Sequence, residues 1–209
     1  MRIFNFKREY KMALIITSIF LALAIIMTFA QRLKYETESK ILVVQNFLEN
    51  TDVYNASRFN EYLSGLLVQV ISSESFYNQT LDAGTNIDRS YFSGTKGQQI
   101  KLWGKTVNAR SSYDTGIITL KVYHPNPEQA ENISQAVIST LKTTNNYYHS
   151  IPNVDIRVID SPNTSRFPMQ PNIIINILIG LVFGGMISWA YIYYIEQAPD
   201  KKNETMKNN

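Results

Sequence analysis

Cysteine is absent from this chain, and histidine occurs only at His124 and His149. Without thiols there are neither disulfide staples nor thiolate metal ligands, so packing alone has to hold whatever core forms. The two histidines flank a predicted helix about 37 Å long, too far apart to share a metal within one chain. Turn and surface roles are expected for both. A basic excess is also missing: residues 31–172 carry 13 basic and 13 acidic side chains, which argues against a nucleic-acid partner. Charge of either sign is missing altogether from residues 12–30 and 173–195, which contain no Lys, Arg, Asp, Glu or His.

At 1.5 Å rise per residue these runs reach roughly 28 and 34 Å as helices, enough for a hydrocarbon core of about 30 Å. The chain is therefore expected to be a membrane hairpin, with the lipid bilayer as its first partner. Its parts are a head (1–11), a first span (12–30), a folded domain (31–161), a proline-rich neck (162–172), a second span (173–195) and a tail (196–209). The net charge of +3 lies in the head, where Arg2, Lys7, Arg8 and Lys11 outweigh Glu9. Basic residues beside a span resist translocation, whereas a long domain crosses largely regardless of its charge. Both termini are thus predicted cytoplasmic and the domain extracytoplasmic. A competing reading takes 12–30 as a cleaved signal peptide ending near Thr28-Phe29-Ala30, but the run exceeds the usual apolar region of about 7–15 residues. The Asn-x-Ser/Thr triplets at Asn55, Asn78, Asn132, Asn163 and Asn203 are what an Asn-rich chain produces by chance.

Periodicity organises the middle. From Tyr35, YETESKILVVQ places Thr37, Ser39, Ile41 and Val43 on one face of a strand and Glu36, Glu38 and Lys40 on the other. From Ser57, Phe59, Tyr62, Leu63, Leu66, Leu67, Val70 and Ile71 recur at three and four, an amphipathic helix. Ser72 or Ser73 is placed to cap a short helix through Leu81, and the Gly, Ser, Thr and Asp density over 82–97 predicts a surface loop. Residues 107–110 and 116–123 predict a strand pair around Ser111-Ser112-Tyr113-Asp114, with Ile118, Leu120 and Val122 alternating against Thr119 and Lys121. Asn126 is expected to cap a helix that begins at Pro127 and buries Ala130, Ile133, Ala136, Val137, Thr140 and Leu141. A last strand follows over 154–160, and three prolines in the next stretch, Pro162, Pro168 and Pro171, predict a stiff extended neck. The fold class is α+β, with two transmembrane helices flanking a β-α-β-β-α-β domain. Both chain ends reach one side of the sheet if its first and last strands are neighbours.

These residues together resemble the Wzz-type chain-length determinants, the polysaccharide co-polymerases of bacterial surface polysaccharide assembly. The resemblance rests on FKREYKMALII leading into YETESKILVV, on DTGIITLKVYHPNPEQAENISQAVISTL, on the VDIRVIDSPNTSRFPMQP approach, and on a glycine-bearing second span. The middle segment is too short for the long helical arm of O-antigen members and is closer to compact capsule or exopolysaccharide forms. The resemblance implies a non-enzymatic scaffold in the bacterial plasma membrane, without cofactors. Such a scaffold forms a ring-like homo-oligomer beside a membrane polysaccharide polymerase and biases polymer length. It also implies, as an alternative, an adaptor for a separate cytoplasmic tyrosine kinase, for which the tail EQAPDKKNETMKNN is short and a contact over 191–202 would be needed. A ligand-binding receptor is the remaining alternative, against which the 14-residue tail offers little room for an output module.

Site candidates follow from this frame. Gly180 and Gly184 form a small-xxx-small pair, with Gly185 beside them, and allow another helix to approach closely. With Pro162, Pro168 and Pro171 they are the expected length-control and helix-packing residues, replaceable with least damage to the fold. Trp189, Tyr191, Tyr193 and Tyr194 suit an aromatic belt at the membrane interface. Gly104-Lys105-Thr106 matches the end of a phosphate loop, but Gln99 stands where the first glycine is required; Lys105 is expected to be solvated at a strand start. Glu36 and Glu38 share a strand face, whereas a glycosidase pair needs a cleft and opposed geometry. No catalytic or metal-binding residue is assigned.

Overall fold

A computed structural model describes residues 6–45, 53–84, 86–112, 115–148 and 154–197. The chain divides into two compact units, Leu33–Gln170 and the flanking segments up to Arg32 and from Pro171. In the first unit, strands β1 (Tyr35–Gln45), β2 (Val107–Ser111), β3 (Ile117–His124) and β4 (Val154–Thr164) form one antiparallel sheet in the order β2-β3-β1-β4. The first and last strands are therefore neighbours.

Alternation decides which face of the sheet is covered. Thr37, Ser39, Ile41 and Val43 of β1 and Ile118, Leu120 and Val122 of β3 are fully buried. Against them lie helices α2 (Val53–Ile71) and α5 (Pro127–Tyr148). The two buried hydroxyls of β1 are both partnered: Ser39 bonds Ser134 at 3.1 Å, and Thr37 bonds Thr164 at 2.8 Å. Helix α5 starts as expected, with Asn126 Oδ1 accepting the Glu128 N–H at 2.9 Å, and its six predicted core positions are all buried. On α2, Leu63, Leu67 and Ile71 face the core, but Tyr62 is 64% exposed and does not belong to the stripe.

The strict β-α-β-β-α-β order is not adopted, because the first crossover holds more helix than its composition suggests. After α2 come α3 (Glu74–Ala83), capped by Ser73 Oγ on the Phe76 N–H, a 3-10 turn at Arg89–Phe92, and α4 (Lys96–Thr106). The predicted loop over 82–97 is thus shorter than expected, and Lys105 sits in the last turn of a helix instead of at a strand start. Gln98 starts α4 by accepting the Thr95 N–H on Oε1 at 3.0 Å, a reach-back that stabilises a helix N-terminus. Gly94 makes room for it at φ +120°, where a Cβ would meet that oxygen at 2.6 Å.

Two further expectations are corrected at the strand ends. β4 runs on to Thr164, through Pro162, instead of giving way to a neck after Asp160. It is an edge strand, and its pairing with β1 shifts register between Glu38 and Lys40, so Pro162 occupies an irregularity where no ladder N–H is needed. His124 is only 5% exposed, not a surface residue. Its Nδ1 accepts the Asn126 N–H at 3.0 Å, and Tyr91 packs edge-on with ring centroids 4.2 Å apart. His149 lies outside the described residues.

Burial holds the His124 imidazole below its usual value near 6.5; the Asn126 carbonyl and Asp88 pull the other way without cancelling it, and Lys34 adds to the lowering. The unfolded chain then binds the proton more readily than the folded one, so stability is complete above about pH 6.5 and falls as pH drops through the folded pKa. The melting temperature of the full-length protein is expected to decline on acidification below that pH. His124→Gln should flatten this part of the profile; an equally steep decline in the variant would assign it to other groups.

In the second unit, α1 (Phe6–Phe29) and α6 (Ile173–Gln197) each contain a stretch long and apolar enough to cross a membrane, Tyr10–Phe29 and Ile173–Ile195. They pack antiparallel. Asn176 Nδ2 donates to Thr28 Oγ1 at 3.0 Å near one end, and Ser188 Oγ donates to the Ala13 carbonyl at 3.0 Å near the other. Between these bonds Gly180 and Gly184 lie against Ala24, Phe20 and Thr17.

Candidate functional site

The open face of the sheet carries a ladder of charged groups. Register places Glu36 opposite Tyr123, Glu38 opposite Lys121, and Asn108 on the far side of Lys121. Lys121 Nζ lies 2.7 Å from Glu36 Oε1 and 3.0 Å from Glu38 Oε2, and Lys40 Nζ lies 2.9 Å from Asp160 Oδ2. Charges therefore alternate across β3, β1 and β4. The hydrogen bonds that Lys121 donates to both carboxylates raise its pKa. Burial, and then Glu36 beside it, push the Tyr123 hydroxyl up to about 12. Both groups hold their protons at neutral pH and act as donors.

Beside this ladder a shallow cavity of about 300 Å³ is lined by Asn108, Arg110, Thr119, Lys121, Tyr123 and Gln170. Lys121 is neutralised by its two carboxylates, while Arg110 is exposed and has no ion pair among the described residues. Its guanidinium, two amides and two hydroxyls converge on one concavity, a set that can hydrogen-bond a hydroxyl-rich or anionic ligand. Glu36 and Glu38 are clamped side by side on one ammonium instead of facing each other across a gap, the geometry that glycoside hydrolysis requires. Among the described residues no group of three or more His, Asp and Glu is assembled to hold a metal. A larger groove of about 810 Å³ runs between α2 and the β2 edge, lined in part by Arg58, Tyr62, Leu66 and Ser111. It gathers fewer converging donors.

The expected length-control residues are divided between the two units. Pro162 lies in β4 and Pro168 in the bend after it, both in the sheet unit; Pro171, Gly180, Gly184 and Gly185 belong to the helical unit. Gly180 and Gly184 are covered by α1 of the same chain, so changing them acts first on the hairpin. A Cβ on Gly185 meets nothing within 4 Å among the described residues. Trp189 and Tyr193 stack with centroids 6.2 Å apart on the exposed surface of α6.

Comparison with known protein families and with curated proteins finds no match for this chain. Sequence reasoning placed Lys121 and Thr119 on the polar side of their strand but missed Asn108, Arg110, Tyr123 and Gln170 as a group. The alternation was visible in each strand; the pairing that brings residue 170 beside residues 108–123 was not.

Proposed function

We propose that this chain is a non-enzymatic membrane polysaccharide co-polymerase that regulates the length of a bacterial surface polysaccharide, such as an O-antigen, capsule or exopolysaccharide. The observation that carries the reading is the adjacency of β1 and β4: the chain enters and leaves the sheet through neighbouring antiparallel strands, each a few residues from a helix long enough to cross a membrane. That is the arrangement a domain tethered to a membrane at both ends needs. In this reading α1 and α6 span the plasma membrane, both termini are cytoplasmic, and the domain projects outside. Copies assemble as a ring beside a membrane polymerase. The polar sheet face offers the growing polymer amide, hydroxyl and guanidinium donors, the groups that suit a sugar chain.

Gel electrophoresis of surface polysaccharide from cells lacking the gene, and from complemented cells, tests this. Deletion is expected to abolish a narrow length distribution, and complementation to restore it. Arg110→Ala is expected to complement with a shifted modal length at normal protein abundance. An unaltered distribution in the deletion strain would overturn length control and move the reading to an adaptor for a cytoplasmic tyrosine kinase, testable by co-purification.

A further inference from the structure

Within Leu33–Gln170, five large apolar or aromatic side chains among the described residues are exposed: Leu33, Tyr62, Ile159, Phe167 and Met169. Three of the five lie on one rim. Lys34 pairs with Gln170, its N–H donating to the Gln170 carbonyl at 2.9 Å and its carbonyl accepting the Met169 N–H at 2.8 Å. The Ser165 N–H donates to the Glu36 carbonyl at 2.8 Å. Residues 166–168 therefore bulge out between two fixed pairings, with Phe167, 77% exposed, in the bend. Met169 at 53% and Leu33 at 48% flank it. Burying these side chains would be favourable, and the domain leaves them uncovered.

Charge on the rim has one sign. Residues 33–35 and 165–170 contain Lys34 and Arg166 and no Asp or Glu. Neither has an ion pair among the described residues. Chain length fixes what the rim can reach. An extended chain covers at most about 3.5 Å per residue, so Leu33, four residues past the end of α1, and Met169, four before the start of α6, each stay within about 14 Å of a helix end. The headgroup layer is about 5–8 Å thick on each side of the hydrocarbon core.

We propose that this rim, Leu33, Lys34, Arg166, Phe167 and Met169, docks on the phospholipid surface of the bilayer that holds α1 and α6, its apolar side chains entering the headgroup boundary and its cations pairing with lipid phosphates. The inference rests on reading α1 and α6 as spans. Apolar side chains interleaved with Lys and Arg are the chemistry of interfacial membrane contact. The contact fixes the standing orientation of the sheet, since the rim lies at the sheet end where β1 begins and β4 finishes.

Because the chain has no cysteine, single-cysteine variants of the full-length protein can carry one environment-sensitive fluorophore each. The protein is reconstituted in phosphatidylcholine vesicles containing phosphatidylglycerol and spin-labelled phosphatidylcholine as quencher. Three positions are compared: Phe167→Cys on the rim, Ser112→Cys in the β2–β3 turn at the opposite end of the sheet, and Val182→Cys on the exposed surface of α6. The eight residues of β3 separate the first two by about 25 Å. The expected result is a blue shift and loss of emission at 167 with shallow labels, at 182 with deep labels, and neither at 112. Quenching at 167 no stronger than at 112, with 182 still quenched, would overturn the rim contact and leave the spans standing. An unquenched 182 would overturn the spans themselves and the rim with them. Lys34→Glu with Arg166→Glu should reduce quenching at 167; an unchanged signal would overturn the pairing with phosphate.

Discussion

Replacement of Trp103 by alanine is expected to destabilise the sheet domain by about 4–5 kcal/mol, the upper part of the range for removing a buried aromatic. Trp103 is fully buried and is the largest such side chain in the core. It packs edge-on against Tyr77 at 5.4 Å and tilted against Phe92 at 5.8 Å, while Tyr77 and Phe92 themselves meet at 5.6 Å. Its Nε1–H donates to the Ile71 carbonyl at 2.8 Å, tying the last turn of α2 to α4. Alanine removes the ring from both neighbours and leaves that carbonyl without its donor, an added cost of about 1–3 kcal/mol if water cannot reach it. A domain of this size is held by only about 5–15 kcal/mol in total. At a urea dependence of about 2 kcal/mol/M, the unfolding midpoint of the full-length protein, followed by circular dichroism, should fall by about 2 M. Trp103→Phe keeps most of the packing and loses only the hydrogen bond, so it should shift the midpoint by less than half as much. Equal shifts would show that the hydrogen bond, not the ring, carries the effect.

That aromatic cluster is also where the sequence was least readable. β1, the β2–β3 hairpin and α5 were legible because each announces itself locally: alternation over eight to eleven residues, or Asn126-Pro127 followed by apolar positions at three and four. α4 has no such stripe. Its sequence KGQQIKLWGKT holds two glycines and few apolar positions, and its largest buried side chain, Trp103, fits between elements that are distant in sequence. The Thr95-to-Gln98 spacing was the available signal, outweighed by the polar, glycine-bearing residues around it.

The candidate site was legible only in halves. Glu36, Glu38 and Lys40 were placed on one face of a strand, and Thr119 and Lys121 on one face of another, by period alone. That Lys121 sits between Glu36 and Glu38 depends on strand order, which joins positions 85 residues apart. The extension of β4 through Pro162 was hidden for a related reason. Proline excludes a paired central strand, but edge position and the register shift against β1 remove that exclusion, and both belong to the sheet and not to the residue.

Replacing both Gly180 and Gly184 with leucine is expected to separate α6 from α1. A Cβ at Gly180 would lie 2.8 Å from the Ala24 Cβ, and one at Gly184 would lie 3.0 Å from the Thr17 Cα and 3.1 Å from the Phe20 Cβ. Leucine adds three carbons beyond each of these contacts, and in the proposed membrane setting no hydrophobic drive exists to hold the helices together once close packing is lost. The bonds from Asn176 to Thr28 and from Ser188 to Ala13 cannot both survive the outward shift that two leucines demand. Cysteines introduced at Ala13 and Ser188 report on it directly, because no native thiol competes. Cross-linking with a short bismaleimide should be efficient in the parent and fall about tenfold in the double-leucine variant, equivalent to about 1.4 kcal/mol of lost association. Undiminished cross-linking would mean that the hairpin does not depend on the glycine seam. Gly185→Leu provides the contrast: it meets no neighbour among the described residues, so cross-linking should stay at the parent level. A change in polysaccharide length in Gly185→Leu would then come from a contact with another molecule, whereas the same change in the double-leucine variant would follow from the opened hairpin alone.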